Sequence, residues 1–169
     1  MVNESEYKDV YQRVIGTKCV FEKAILLQFA QCEHAEKRLL AEREAINCAH
    51  ESCQFRCQKV LDTLRNKARF SLQQTQADSP LPHAKEVKVQ AGGLFGLQQI
   101  MAKDDPTNIL DLSDEMHRFN SQRKPIGNIY QLLDQAAAYY KNLEKLPFSD
   151  MIKAIIRFEV RKKRHRKKN

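Results

Sequence analysis

Apolar residues recur at helical spacing along most of the chain, and short polar or proline-bearing stretches punctuate the pattern. Val10, Tyr11, Val14 and Ile15, preceded by Tyr7, predict a first helix over residues 4–15, with Gly16 as its stop. A second and longer helix is predicted from about Thr17 to Ile46. Its stripe is Ile25, Phe29, Cys32, Leu39 and Ile46, set among abundant Glu, Lys, Arg, Ala and Leu. Asn47 to Ser52 interrupts the pattern, and Ser52 is suited to cap a third helix running from Cys53 to about Gln73.

The middle of the chain has a different texture. Residues 73–83 hold two prolines among polar residues and read as a surface linker. Lys85 to Gln90 alternates polar and apolar, which predicts an extended segment without a partner strand. Gly92 and Gly93 then predict a tight turn before a short amphipathic helix through Leu94, Leu97, Ile100 and Met101. Further helices are predicted over about 113–121, over 128–146, and from a Ser149 cap through Val160. The expected fold is therefore all-α. It is a bundle of five or six helices with a long N-terminal helical hairpin and a C-terminal basic helix or tail. Residues 1–156 form one helical domain, with 73–93 as linker and turn inside it, and 157–169 form the tail.

Composition adds two points. The chain of 169 residues is 42% apolar and 30% charged, enough for one domain to bury a core without disulfides. The net charge of +8 is very uneven, because from Arg157 onward eight basic residues stand against Glu159 alone. The body is close to neutral. The N-terminus lacks the basic-then-apolar layout of a secretory signal, and no apolar run approaches the roughly 20 residues that span a bilayer. A reducing, cytoplasmic setting is expected, in which cysteines serve as metal ligands, reactive groups or small core residues.

Cysteine placement carries the main chemical signal. Cys19, Cys32, Cys48, Cys53 and Cys57 all fall within 39 residues, together with His34 and His50. Cys53 and Cys57 are one helical turn apart and share a face, while Cys48 and His50 lie just before that helix. Four sulfur and nitrogen ligands make a closed zinc site, and four thiolates suit an iron–sulfur cluster; ligand type alone does not separate the two. The spacing is neither that of paired C-x2-C zinc modules nor that of a standard cluster run. Thiols near a helix N-terminus also tend toward lowered pKa. In a continuous helical hairpin, Cys32 lies about 16 Å further along the bundle than Cys57. A cluster held by Cys19, Cys32, Cys48 and Cys57 therefore requires the long helix to break near Cys32-Glu33-His34. The alternative is that Cys32, Cys53 and Cys57, which lie on apolar stripes, simply pack in the core.

Arg161, Lys162, Lys163, Arg164, Arg166, Lys167 and Lys168 form a run suited to phosphates of RNA or DNA, or to an acidic protein partner. No base-reading motif accompanies it, so such binding is expected to be non-specific. Met151, Ile155 and Ile156 beside a cationic end resemble an interfacial membrane anchor, but they are more economically used in packing on the bundle. The Gly92-Gly93 pair lacks the phosphate-binding fingerprints, and Asp111, Asp114, Glu115 and His117 read as a solvated helical face. No catalytic constellation is found. The expected function is a small non-catalytic metal- or iron–sulfur-binding protein whose basic tail docks on an anionic partner, with Cys48, Cys53 and Cys57 as the core ligands and His50, Cys32 or Cys19 completing the shell. The alternative is a nucleic-acid- or ribosome-associated helical adaptor whose cysteines belong to the core.

Overall fold

The computed structural model describes residues 4–40, 43–74, 79–103 and 124–160. Helix α1 (Glu4–Val14) and the short α2 (Glu22–Leu26) open the chain. The predicted long helix over 17–46 does not form. Gln28, with φ at 59°, takes the chain out of α2, and β1 (Ala35–Leu40) and β2 (Arg43–Cys48) follow as an antiparallel pair. The all-α helical hairpin is thus corrected to a β-hairpin followed by a helix.

The cause is tertiary pairing that outweighs local helix propensity. The β2 backbone is hydrogen-bonded along β1 on one edge. On its other edge Cys19 N–H donates to the Ile46 carbonyl (2.9 Å) and Cys48 N–H to the Thr17 carbonyl (2.7 Å). Ala45 and Ile46 are buried by this arrangement, and Leu40 is buried with Ile15 and Ala45 in a small satellite core. Glu22 ties α1 to the sheet. Its carboxylate accepts from the Tyr11 hydroxyl (2.9 Å) and the Ile46 amide (3.0 Å), and Lys18 pairs with it at 3.1 Å.

Helix α3 (Glu51–Ala68) begins at His50, not at a Ser52 cap, and buries Val60, Leu61, Leu64 and Ala68. The segment expected to be extended is helical. Helix α4 (His83–Val87), a π-helical turn (Lys88–Gly92) and α5 (Gly93–Lys103) form one run. From Glu86 to Leu97 every residue except Lys88 is buried, so the alternation there carried no strand information. Gly92 and Gly93 lie inside this run, with no turn and no helix N-terminus to cradle a phosphate. Their role is close packing: a Cβ on Gly92 would stand 2.9 Å from the Ile155 Cα, and one on Gly96 would stand 2.7 Å from the Ala154 Cβ.

After the described residues resume, Asn128 caps α6 (Ile129–Tyr140), which ends where Lys141 turns left-handed at φ 62°. A 3-10 turn (Leu143–Lys145) leads into α7 (Phe148–Arg157). Met151 and Ile155 are fully buried and pack on the bundle, as their apolar spacing leads one to expect, while Ile156 is exposed. Just beyond α7, Phe158 is also fully buried, edge-on to Phe29 at 5.2 Å and stacked on Phe95 at 5.9 Å. The helix predicted over 113–121 and residues 161–169 of the basic tail lie outside the described residues.

Candidate metal centre

Three extended segments and two helix starts converge at one end of the hairpin. Cys19 lies on the segment zipped to β2, and Thr17 N–H donates to the Asn47 side chain at 2.9 Å. Cys48 ends β2, opposite Ala35 in the register, and Ala49 N–H donates to the His34 carbonyl at 2.9 Å. Cys32 sits on the loop between α2 and β1. That loop is pinned to the start of α6 by Ile126 N–H to Phe29 O (2.9 Å), Gln31 N–H to Ile126 O (2.8 Å) and Ile129 N–H to Gln31 O (2.8 Å). Cys53 and Cys57 project from the first turns of α3, one turn apart.

All five thiols line a single cavity of about 20 Å³, together with His34, Phe21, Ile129 and Tyr130. The break near Cys32 that a four-cysteine arrangement requires is present. All five cysteines are free thiols, Cys19 buried and the other four half-buried. His50 is exposed and does not line the cavity. Its ring meets His34 at 4.5 Å, and its carbonyl accepts from the Cys48 thiol at 3.2 Å.

Burial governs the ionisation of this cluster. It pushes Cys19 up to about 12, opposed by the Phe21 backbone and reinforced by charge on Cys32, Cys48 and Cys57. Burial likewise pushes Cys57 up to about 12, with Cys32 and Cys48 adding to the effect and Arg56 opposing it. Cys48 is raised by the same cause, with Cys32 and Cys53 contributing. The expectation that a helix N-terminus lowers the thiol pKa therefore fails at Cys57, where desolvation is the larger effect. At neutral pH Cys19 and Cys57 hold their protons, so a cation entering the cavity must displace them.

Several residues of this region carried no signal in the sequence. Tyr130 and Ile129 complete the cavity from α6, far from any cysteine in sequence, and Asn128 braces the Cys32 loop by accepting from Glu33 N–H at 3.4 Å. Of the two histidines in the cysteine window, His34 lines the cavity and the expected ligand His50 does not. Among the described residues, no three His, Cys, Asp or Glu side chains already stand as a group able to hold a metal ion, and no helix is long and apolar enough to cross a membrane. Compared with known protein families, curated proteins and solved structures, the chain gives no match.

Proposed function

We propose that this protein is a non-catalytic metal-binding protein that carries an iron–sulfur cluster or a zinc ion on its clustered thiols, with the basic run from Arg161 to Lys168 docking on an anionic partner. The observation that supports this reading is the meeting of five thiols around one cavity, drawn from four separate backbone segments. Core packing alone needs no such convergence. A cation compensates thiolate charge that the protein by itself suppresses, so loading exchanges protons for metal. The thiols do not stand as a ready-made ligand group, so loading requires them to move. Thiolates suit either group, so the donor set does not separate them.

Anaerobic purification followed by an absorbance spectrum and analysis for iron, sulfide and zinc tests the proposal. Broad visible absorbance with iron and sulfide supports a cluster, and stoichiometric zinc in a colourless protein supports a structural site. A folded, metal-free protein that loads neither group sinks it, leaving the basic tail as the functional lead.

A further inference from the structure

Among the described residues the buried polar side chains are Glu22, Glu86 and Gln90, and all three line one cleft of about 710 Å³ between α2, α3 and α4. Burying a charge is costly unless it is matched, so gathering these groups at one place commits stability to that place. Their internal partners are in position. Glu86 accepts from Arg65 and Gln90, Gln90 accepts from the Ala24 N–H, and Glu22 accepts from the Tyr11 hydroxyl and the Ile46 amide. Gln90 belongs to the π-helical turn Lys88–Gly92, a rare geometry that recurs at functional sites. The floor of the cleft is thus a fixed polar network. Four basic side chains, Lys18, Lys23, Arg65 and Arg69, line the cleft against the three carboxylates of Glu22, Asp62 and Glu86. Lys18 is matched to Glu22 at 3.1 Å, and Arg65 to Glu86 at 2.7 Å and to Asp62 at 2.9 Å. Among the described residues no carboxylate pairs with the half-buried Lys23, so its ammonium is left as charge for a ligand.

We propose that this cleft binds a phosphorylated sugar or polyol. The volume lies in the range of small-molecule sites. Lys23 supplies the positive charge that meets the phosphate. Arg69, whose Nη1 donates to the Ser79 carbonyl at 3.4 Å, adds a second cation whose fork has donors to spare. Gln54, Gln58, Asp62, Asn66 and Ser79 complete the walls. Their amides, carboxylate and hydroxyl offer donors and acceptors in mixture, which suits sugar hydroxyls because each hydroxyl is both. Among the described residues no aromatic ring lines the cleft, so a nucleobase finds no face to stack on. That separates a sugar phosphate from a nucleotide. The fixed network of Arg65, Glu86 and Gln90 holds the floor in shape before the ligand arrives, which lowers the ordering cost of binding. This inference does not rest on the metal-centre reading.

Titration calorimetry of the full chain with glucose-6-phosphate, glycerophosphate, glucose, inorganic phosphate and spermidine tests the proposal. At least one of the two organic phosphates should bind with a Kd below about 1 mM, and its binding should weaken as salt is raised. Glucose and inorganic phosphate should each bind at least about tenfold more weakly, since each offers half of the contacts. Lys23→Gln should weaken binding of the organic phosphate about tenfold. Asn66→Asp sets a carboxylate at an exposed position of α3 on the cleft wall. It should also weaken binding, and it keeps the test open where Lys23→Gln fails to fold. Lys153→Gln, an exposed change on α7 outside the cleft, should bind as wild type. Absence of binding by both organic phosphates overturns the proposal. Inorganic phosphate binding equally well overturns the recognition of hydroxyls, and spermidine binding in place of the phosphates overturns the sign of the charge. Affinity unchanged in both folded variants, Lys23→Gln and Asn66→Asp, overturns the placement in this cleft.

Discussion

The backbone N–H of Glu33 donates to the side chain of Asn128 at 3.4 Å, joining two residues 95 positions apart. The same oxygen accepts from Tyr130 N–H at 3.1 Å and so caps α6. One side chain therefore starts a helix and braces the loop that carries Cys32. Asn128→Ala should cost about 1 kcal/mol, the usual loss for an N-cap, and should also weaken metal loading. Asn142 makes the matching contrast, because it caps only the 3-10 turn at Glu144. Asn142→Ala should lower stability by a similar or smaller amount and leave loading unchanged. Equal loading in the two variants, measured by metal titration, would detach the loop brace from the centre.

The thiols act on one another's ionisation. Charge on Cys32, Cys48 and Cys57 raises Cys19, and charge on Cys53 raises Cys48 and Cys57. Serine at position 19, 32, 48 or 57 should abolish stoichiometric loading, and Cys53→Ser should retain most of it. Metal content per chain after anaerobic purification reads this directly.

The metal-free protein should lose stability as the solution becomes alkaline. Cys19 and Cys57 stand near 12 in the folded chain against an ordinary 9.0, so between those values the folded state holds more protons than the unfolded one. Stability is then fully present below about pH 9 and declines as pH rises toward the folded values. The midpoint of thermal unfolding should be lower at about pH 10 than at about pH 8, roughly one unit either side of onset, and the drop should be smaller in Cys57→Ser. Metal affinity should run the other way and rise with pH over the neutral range, because loading releases protons.

Close packing at the helical run makes a sharper prediction. Gly92→Ala places a methyl group against the Ile155 backbone and should cost about 1–3 kcal/mol in denaturant unfolding, the usual range for overpacking. Gly127→Ala meets nothing within 4 Å and should be nearly neutral.

Arg65 holds the interior of the same run in place. It forks onto Glu86 through Nε (3.2 Å) and Nη2 (2.7 Å) and reaches Asp62 through Nη1 at 2.9 Å. Gln90, nearly fully buried, donates to the same carboxylate at 2.8 Å and accepts from Ala24 N–H at 3.1 Å. Glu86→Ala should cost about 3–5 kcal/mol, since it leaves the guanidinium and the Gln90 amide without their acceptor. A loss below about 1 kcal/mol in chemical denaturation would show that water replaces the carboxylate freely.

What the sequence made legible follows from how local each feature is. The i, i+4 pairing of Cys53 and Cys57 needs only one helix, and α3 supplies it. The N-terminus of α6 at Asn128 and the packing of Met151 and Ile155 were readable for the same reason. The hairpin over 35–48 was not, because its residues favour helix and only pairing with Thr17 and Cys19 makes β2 a central strand. The Lys85–Gln90 segment misled in the opposite sense, since burial on nearly all sides erases helical periodicity. The contribution of Tyr130 depends on α6 docking beside the Cys32 loop, a long-range fact that no spacing near the cysteines encodes.

The zipper between residues 29–31 and 126–129 has a consequence for biogenesis. Every thiol is synthesised by residue 57, yet the cavity wall is finished only when α6 has been made and docked. At roughly 5–20 residues per second, several seconds separate the emergence of Cys57 from that of Tyr130. During that interval the sulfurs are exposed to oxidants and to whichever metal is most abundant. The cavity that the five thiols line is therefore a late, post-closure feature, and a nascent chain stalled before residue 126 leaves open the sulfurs that the finished fold partly covers.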